Sequence, residues 1–208
     1  MIDYNGESML ILNKRSDFMA STTTANTFQK SRLSVKAQTL AALAAIASAV
    51  VVPQLFHTLG AVSGLGTALG ETFLPMQLPV ILAGLLAGPY AGLAAGTFGP
   101  LASFALSGMP GSLMLPFMMI ELAFYGLSAG LLANTKLPLI GKVFASQVIG
   151  RIARAAAILA AVYAFGNESI HVSIIWKSIT AGLPGLVLQW SLLPLTVFWV
   201  ENRAKNDQ

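Results

Sequence analysis

Glu121, Arg151 and Arg154 are ionisable residues set inside long apolar stretches. Charges in such segments are costly, and they face a bundle interior or a wet cavity, usually beside a partner. Glu121 lies about eight residues from one end of its stretch and Arg151 about nine from the opposite end of the next. At 1.5 Å per residue their depths differ by roughly 5–10 Å, which an arginine side chain largely bridges. Two chemistries follow: a structural Glu121–Arg151 ion pair, or contact of one or both groups with a polar solute. Arg154, one turn beyond Arg151, extends the same helix face.

Other chemistry is scarce. The chain has no cysteine, which excludes disulfides, thiolate nucleophiles and cysteine metal sites. His57 and His171 have no second histidine or carboxylate at metal-ligand spacing. There is no Walker A segment, no H-E-x-x-H helix and no pair of intramembrane aspartates. Serines within the apolar stretches are expected to bond back to their own helices. The reading is a non-enzyme without cofactor or metal.

The elements that position the charges are apolar segments. Of 208 residues, 55% are hydrophobic and 10% charged, and the mean hydropathy is +0.72. A soluble domain carries about a quarter charged residues, so this chain lacks the polar surface to cover itself in water. The expected fold is all-α: a polytopic membrane protein of six spans, over about 37–56, 75–88, 90–107, 113–133, 143–165 and 174–200. The 75–88 stretch is short for a ~30 Å hydrocarbon core, and Gly182-Leu-Pro-Gly185 interrupts the last one. Residues 1–35 form a polar tail, 36–202 the membrane domain and 203–208 a second tail.

Basic residues set the orientation. Lys14, Arg15, Lys30, Arg32 and Lys36 precede the first span, Lys136 and Lys142 follow the fourth, and Arg203 and Lys205 follow the sixth. With six spans these nine fall on one side, while the opposite loops (57–74, 108–112 and 166–173) contain no lysine or arginine. The positive-inside rule then puts both termini in the cytoplasm. The net charge of +4 reflects topology rather than nucleic-acid binding.

Two further features suit a partner or a solute. Ala37, Ala41, Ala45 and Ala49 form a small-xxx-small stripe on the first span, suited to close helix approach either within the chain or to a partner. The uncharged-looking 57–74 segment, with only His57 and Glu71 ionisable, reads as a lid or a linker.

Several segments together resemble the substrate-binding S components of energy-coupling factor (ECF) vitamin transporters. They are Phe73-Leu-Pro-Met-Gln-Leu-Pro-Val-Ile-Leu-Ala-Gly-Leu-Leu-Ala-Gly-Pro89, Gly99-Pro-Leu-Ala-Ser103, Gly108-Met-Pro110, Glu121-Leu-Ala-Phe-Tyr-Gly126, Gly150-Arg-Ile152 and Ala181-Gly-Leu-Pro-Gly-Leu186, with Gln189 and Pro194. Gln77 stands where the related Leu-Pro-Met-His pattern has histidine. The resemblance implies a six-helix S-component fold with an outward solute cavity partly closed by the first loop. It implies that the alanine stripe of the first helix docks on a transmembrane coupling subunit, which joins two cytoplasmic ATPases in a bacterial cell membrane. The solute is then a water-soluble vitamin or precursor. Candidate anchors are Glu121, Tyr125, Arg151 and Gln189, with Gln77 at the pattern position and Met76 and Trp190 as apolar wall. Arg151 favours a carboxylate-bearing solute such as pantothenate if Glu121 does not neutralise it; cobalamin fits the motifs equally. A self-sufficient secondary transporter, or an assembly subunit that moves nothing, are the alternatives.

Overall fold

The structure is a computed structural model that describes residues 34–66 and 68–206. The expected N-terminal tail lies almost wholly outside the described residues. The described residues form seven α-helices: α1 (Val35–Val62), α2 (Ala68–Phe73), α3 (Gln77–Ala87), α4 (Pro89–Ser107), α5 (Leu115–Leu132), α6 (Leu139–Leu159) and α7 (Ser173–Asn206). A π-helical turn, Ala160–Ala164, continues α6. No strand occurs among the described residues.

Local chemistry sets the ends of the helices. Ser34 caps α1, its hydroxyl oxygen accepting from the Ala37 N–H at 3.3 Å, which satisfies one orphan donor of the first turn. A single residue, Gly88 at φ +106°, separates α3 from α4, and Pro89 opens the new helix, where a missing N–H costs nothing. Gly108, left-handed at φ +70°, closes α4 with its N–H donating to the Phe104 carbonyl at 2.8 Å. Lys142 Nζ donates to the Ala133 carbonyl at 2.6 Å, holding the α5–α6 turn by its positive end.

Helices in this chain are apolar outside as well as inside. Leu43, Val51 and Leu55 on α1, and Leu195, Phe198 and Trp199 on α7, are exposed, whereas Gln77, Glu121, Gln147 and Gln189 are buried. That inversion suits a hydrocarbon solvent, in which polar groups must be satisfied internally. Hydroxyls behave accordingly: Ser48 donates to Ala44 O at 2.8 Å, Thr97 to Leu93 O at 2.9 Å and Thr196 to Leu192 O at 2.7 Å. Among the described residues, five segments are long and apolar enough to cross a bilayer: Val35–Val62, Ala68–Ala87, Leu115–Leu132, Leu139–Ala164 and Ser173–Val200. The 19 residues of α4 would reach about 28 Å, but glycine, proline and hydroxyls dilute its apolar character.

Glycine decides how closely α3, α4 and α5 pack. A β-carbon at Gly92 would collide with the Gly126 carbonyl, one at Gly126 with the Gly92 carbonyl, and one at Gly96 with the Leu122 carbonyl. Gly84 faces Gly126 and Gly130 faces Pro89 in the same manner. The backbones touch because Gly84 on α3, Gly92-x-x-x-Gly96 on α4 and Gly126-x-x-x-Gly130 on α5 meet face to face, the close-approach device of membrane helices.

Three expectations are corrected. The 57–74 segment is mostly helical: α1 runs on through His57 to Val62, and α2 follows. Phe56 packs on Phe73 with ring centroids 5.7 Å apart, and a β-carbon at Gly70 would sit 3.2 Å from the His57 ring, so α2 is pinned against the end of α1. Gly182-Leu-Pro-Gly185 does not interrupt the last helix, because α7 is continuous from Ser173 to Asn206. Its two glycines leave a groove instead, which the segment Thr72–Leu74 fills. Residues 203–206 continue α7 as helix. Finally, Ala45 and Ala49 of the alanine stripe are buried in the chain's own core, and Ala37 and Ala41 are half-buried. The stripe turns inward because Gly99 of α4 accepts the Ala49 methyl, which lies 3.0 Å from where a β-carbon would stand. It is not an open face for a partner at those two positions.

Candidate functional site

Four side chains from α5 and α6 converge where these helices meet α7. Glu121 is 2% exposed and sits a turn before Tyr125, whose hydroxyl donates to Glu121 Oε1 at 2.7 Å. From α6, Arg154 Nη1 donates to Glu121 Oε2 at 2.8 Å. Arg151 Nε stands 3.2 Å from Glu121 Oε1, but its N–H is not aligned on that oxygen. Arg151 Nη1 donates to the Ser178 carbonyl of α7 at 3.1 Å. A β-carbon at Gly150 would run into the Tyr125 ring, so this glycine admits the tyrosine that supports Glu121. The two arginines line a small cleft of about 10 Å³ with Ala155, Ile158, Ile175, Ser178 and Ile179, room for about one water-sized group.

A second polar network lies one turn back along α6. Gln147 Nε2 donates to Gln189 Oε1 at 2.8 Å, and Trp190 Nε1 donates to Gln147 Oε1 at 2.7 Å. Gln189 Nε2 in turn donates to the Leu74 carbonyl at 3.2 Å and to Phe73 O at 3.5 Å. These bonds clamp the connector between α2 and α3. Leu74 itself has φ +50°, an unfavourable region for a side-chain-bearing residue that persists only where its surroundings enforce it. The Leu74 side chain and Arg151 Nη2 both press on Gly182 of α7, within 3.0 Å of where a β-carbon would stand. The connector therefore reaches the edge of the charged centre.

The structure thus brings Glu121, Tyr125 and Arg151 together and adds Arg154. Gln189 and Trp190 belong to the adjoining clamp, with Trp190 edge-on to Phe144 at 5.6 Å. Met76 joins the central apolar core that also contains Tyr125. Gln77 is buried with its Oε1 unbonded and shares no hydrogen bond with the charged centre. Sequence reasoning missed Gln147, although Gln147, Arg151 and Arg154 follow the i, i+4, i+7 spacing of one helix face. It also passed over Gly126-Leu-Ser-Ala-Gly130, which spells the G-x-S-x-G of hydrolase nucleophile turns. Here the segment is mid-helix, and Ser128 Oγ donates to the Phe124 carbonyl at 2.5 Å and to Tyr125 O at 3.3 Å. Its glycines serve packing, and the serine is spent on its own helix. Among the described residues no group of three or more histidines, cysteines or carboxylates is arranged to hold a metal.

An apolar helical bundle with a buried charged centre fits several kinds of membrane protein, and comparison with known proteins decides among them. The family model of the ECF transporter substrate-specific component matches residues 35–199. The chain belongs to that family. Comparisons with curated proteins and with solved structures give no match. The matched span of this S component runs from the start of α1 to near the end of α7, so it includes both polar networks. The family is one of transporter subunits rather than enzymes, its members work with a coupling and ATPase module, and the apolar helices make this S component an integral membrane protein.

Proposed function

We propose that this S component captures a water-soluble vitamin or vitamin precursor from outside a bacterial cell and passes it to an ATP-driven ECF module. The observation that carries this reading is the buried Glu121–Arg151–Arg154 centre, set at the membrane depth where ionisable groups serve function more often than stability. It lies in the half of the bundle nearer the 166–172 loop, between the later part of α6 and the beginning of α7. In a six-span arrangement with both termini cytoplasmic, that end faces outward. Trp176 and Trp199 support such a placement of α7. Both are exposed, and their 23-residue separation corresponds to about 35 Å of helix, close to the distance between two interfacial aromatic belts. Arg203 lies over the Trp199 ring at 4.4 Å, as befits the basic cytoplasmic end.

In this reading the clamped connector is the gate. Space at the centre is too small for a vitamin, so entry requires Leu74 to leave Gly182 and Gln189 to release the connector. Gln189, Gln77 and Met76 then join the solute shell, with Trp190 as wall. Docking on the coupling subunit uses the face of α1 that stays open, through Ala44 and Ala47, together with the half-buried Ala37 and Ala41.

The test is a panel of vitamins titrated onto the purified chain, followed by cellular uptake with and without the coupling subunit and two active ATPases. Solute binding by the chain alone, with uptake only when the ATPases hydrolyse ATP, is the expected pattern. Uptake by the chain alone would identify a secondary transporter, and absence of both binding and module association would leave an assembly subunit.

A further inference from the structure

We propose that the captured solute is a small organic acid whose anionic group binds between Arg151 and Arg154, its hydrocarbon part lying along the isoleucine wall of α6 and α7. This rests on the solute-capture reading above and adds the chemical class.

Charge stoichiometry is the first argument. Both arginines pair with the same carboxylate, Glu121. Guanidinium groups do not give up their proton in proteins, so the triad keeps an excess positive charge even with Glu121 ionised. An uncompensated charge at this depth is costly, and a second carboxylate is its natural counter-ion. Hydrogen bonding is the second. Arg151 Nη2 and Arg154 Nε are buried without an acceptor, and Arg151 Nε, 3.2 Å from Glu121 Oε1, makes no aligned hydrogen bond, whereas Arg151 Nη1 donates to the Ser178 carbonyl and Arg154 Nη1 to Glu121. A guanidinium edge with free N–H groups suits the two oxygens of a carboxylate or phosphate. Third, the arginines line the α6–α7 cleft, whose other walls are Ala155, Ile158, Ile175, Ser178 and Ile179. A polyhydroxylated or cationic body would find only Ser178 there, whose hydroxyl already donates to the Ile175 carbonyl at 2.9 Å, whereas an aliphatic body would meet the three isoleucines. The glutamate that seemed able to neutralise Arg151 is thus already shared, and the acid preference it would have cancelled survives because there are two arginines.

The full chain, produced in rich medium and purified in detergent, is stripped of bound small molecules, which are identified by mass spectrometry. The same protein is titrated with matched pairs: pantothenate against pantothenol, biotin against biotinamide, nicotinate against nicotinamide. A captured molecule bearing a carboxylate or phosphate is expected, with its neutral counterpart bound at least about tenfold more weakly. Arg154→Gln should shrink that preference to about threefold or less while eluting as a folded monodisperse protein. Capture of a neutral or cationic molecule, or equal binding of acid and amide, overturns the acid class and leaves the S-component reading intact. So does failure to capture any anion while the chain still associates with its module. Loss of both solute binding and module association overturns the underlying reading as well. Full acid preference retained in both Arg154→Gln and Arg151→Gln overturns the placement between these residues.

Discussion

Removing the charge of Glu121 should cost more than removing the charge of Arg154, although the two are partners in one ion pair. Glu121→Gln keeps the volume and leaves an amide oxygen for the Tyr125 hydroxyl, now 2.7 Å from Oε1. It strips both guanidiniums of their shared counter-ion, at 2.8 Å for Arg154 and 3.2 Å for Arg151. Breaking a buried pair by deleting one partner costs about 3–5 kcal/mol. The arginine side chains are 12% and 14% exposed, so the lower end, about 3 kcal/mol, applies. For a chain of this size that is a fall of about 6–12 °C in Tm. Arg154→Gln leaves Glu121 and Arg151 in one-to-one balance and loses one charged hydrogen bond, about 1.5–3 kcal/mol. The double variant keeps only the charge of Arg151, the same excess of one as the native triad, and should recover at least about 1 kcal/mol relative to the sum of the singles. Thermal unfolding of the solute-free chain in detergent reads all three. Equal losses for the two single variants, or strict additivity in the double, would refute the charge-stoichiometry argument.

Gly126→Leu should abolish a monodisperse species on size exclusion, since its side chain would collide with the Gly92 backbone; Gly111→Ala, with open space around it, should be silent. Gln189→Leu leaves the Leu74 carbonyl and the Gln147 amide without their partner, at a cost of about 1–3 kcal/mol. Amide exchange in residues 68–76 should accelerate selectively, and uniform acceleration across α4 and α5 would contradict a local clamp. Ala49→Leu should destabilise the isolated chain by about 1–3 kcal/mol through overpacking against Gly99, as measured by thermal unfolding. An isolated chain of unchanged stability that has lost only module association would restore the alanine stripe as a docking face.

Much of this protein was legible before any coordinates, and the reason is the solvent. In a bilayer each span must satisfy its own backbone, so runs of apolar residues translate directly into helices. The boundaries expected near Tyr90, Ser107, Ala133 and Ser173 fall close to those of α4, α5 and α7. Turn chemistry helped where a residue has a single use, as with Gly88-Pro89 and Gly108. It misled at Gly182-Leu-Pro-Gly185, because glycine and proline signal a break only when nothing packs on them, and here the α2–α3 connector does.

The residues themselves determined that lipid surrounds the helices and that Glu121 and Arg151 lie deep enough to meet. Only the tertiary structure decided that Arg154 shares the same carboxylate, that Gln147 and Gln189 hold the connector, and that Ala45 and Ala49 face inward. Depth along a helix follows from counting at 1.5 Å per residue. Which face meets which neighbour depends on how closely two backbones approach, and here that distance is set jointly by glycines more than thirty residues apart, Gly92 and Gly126.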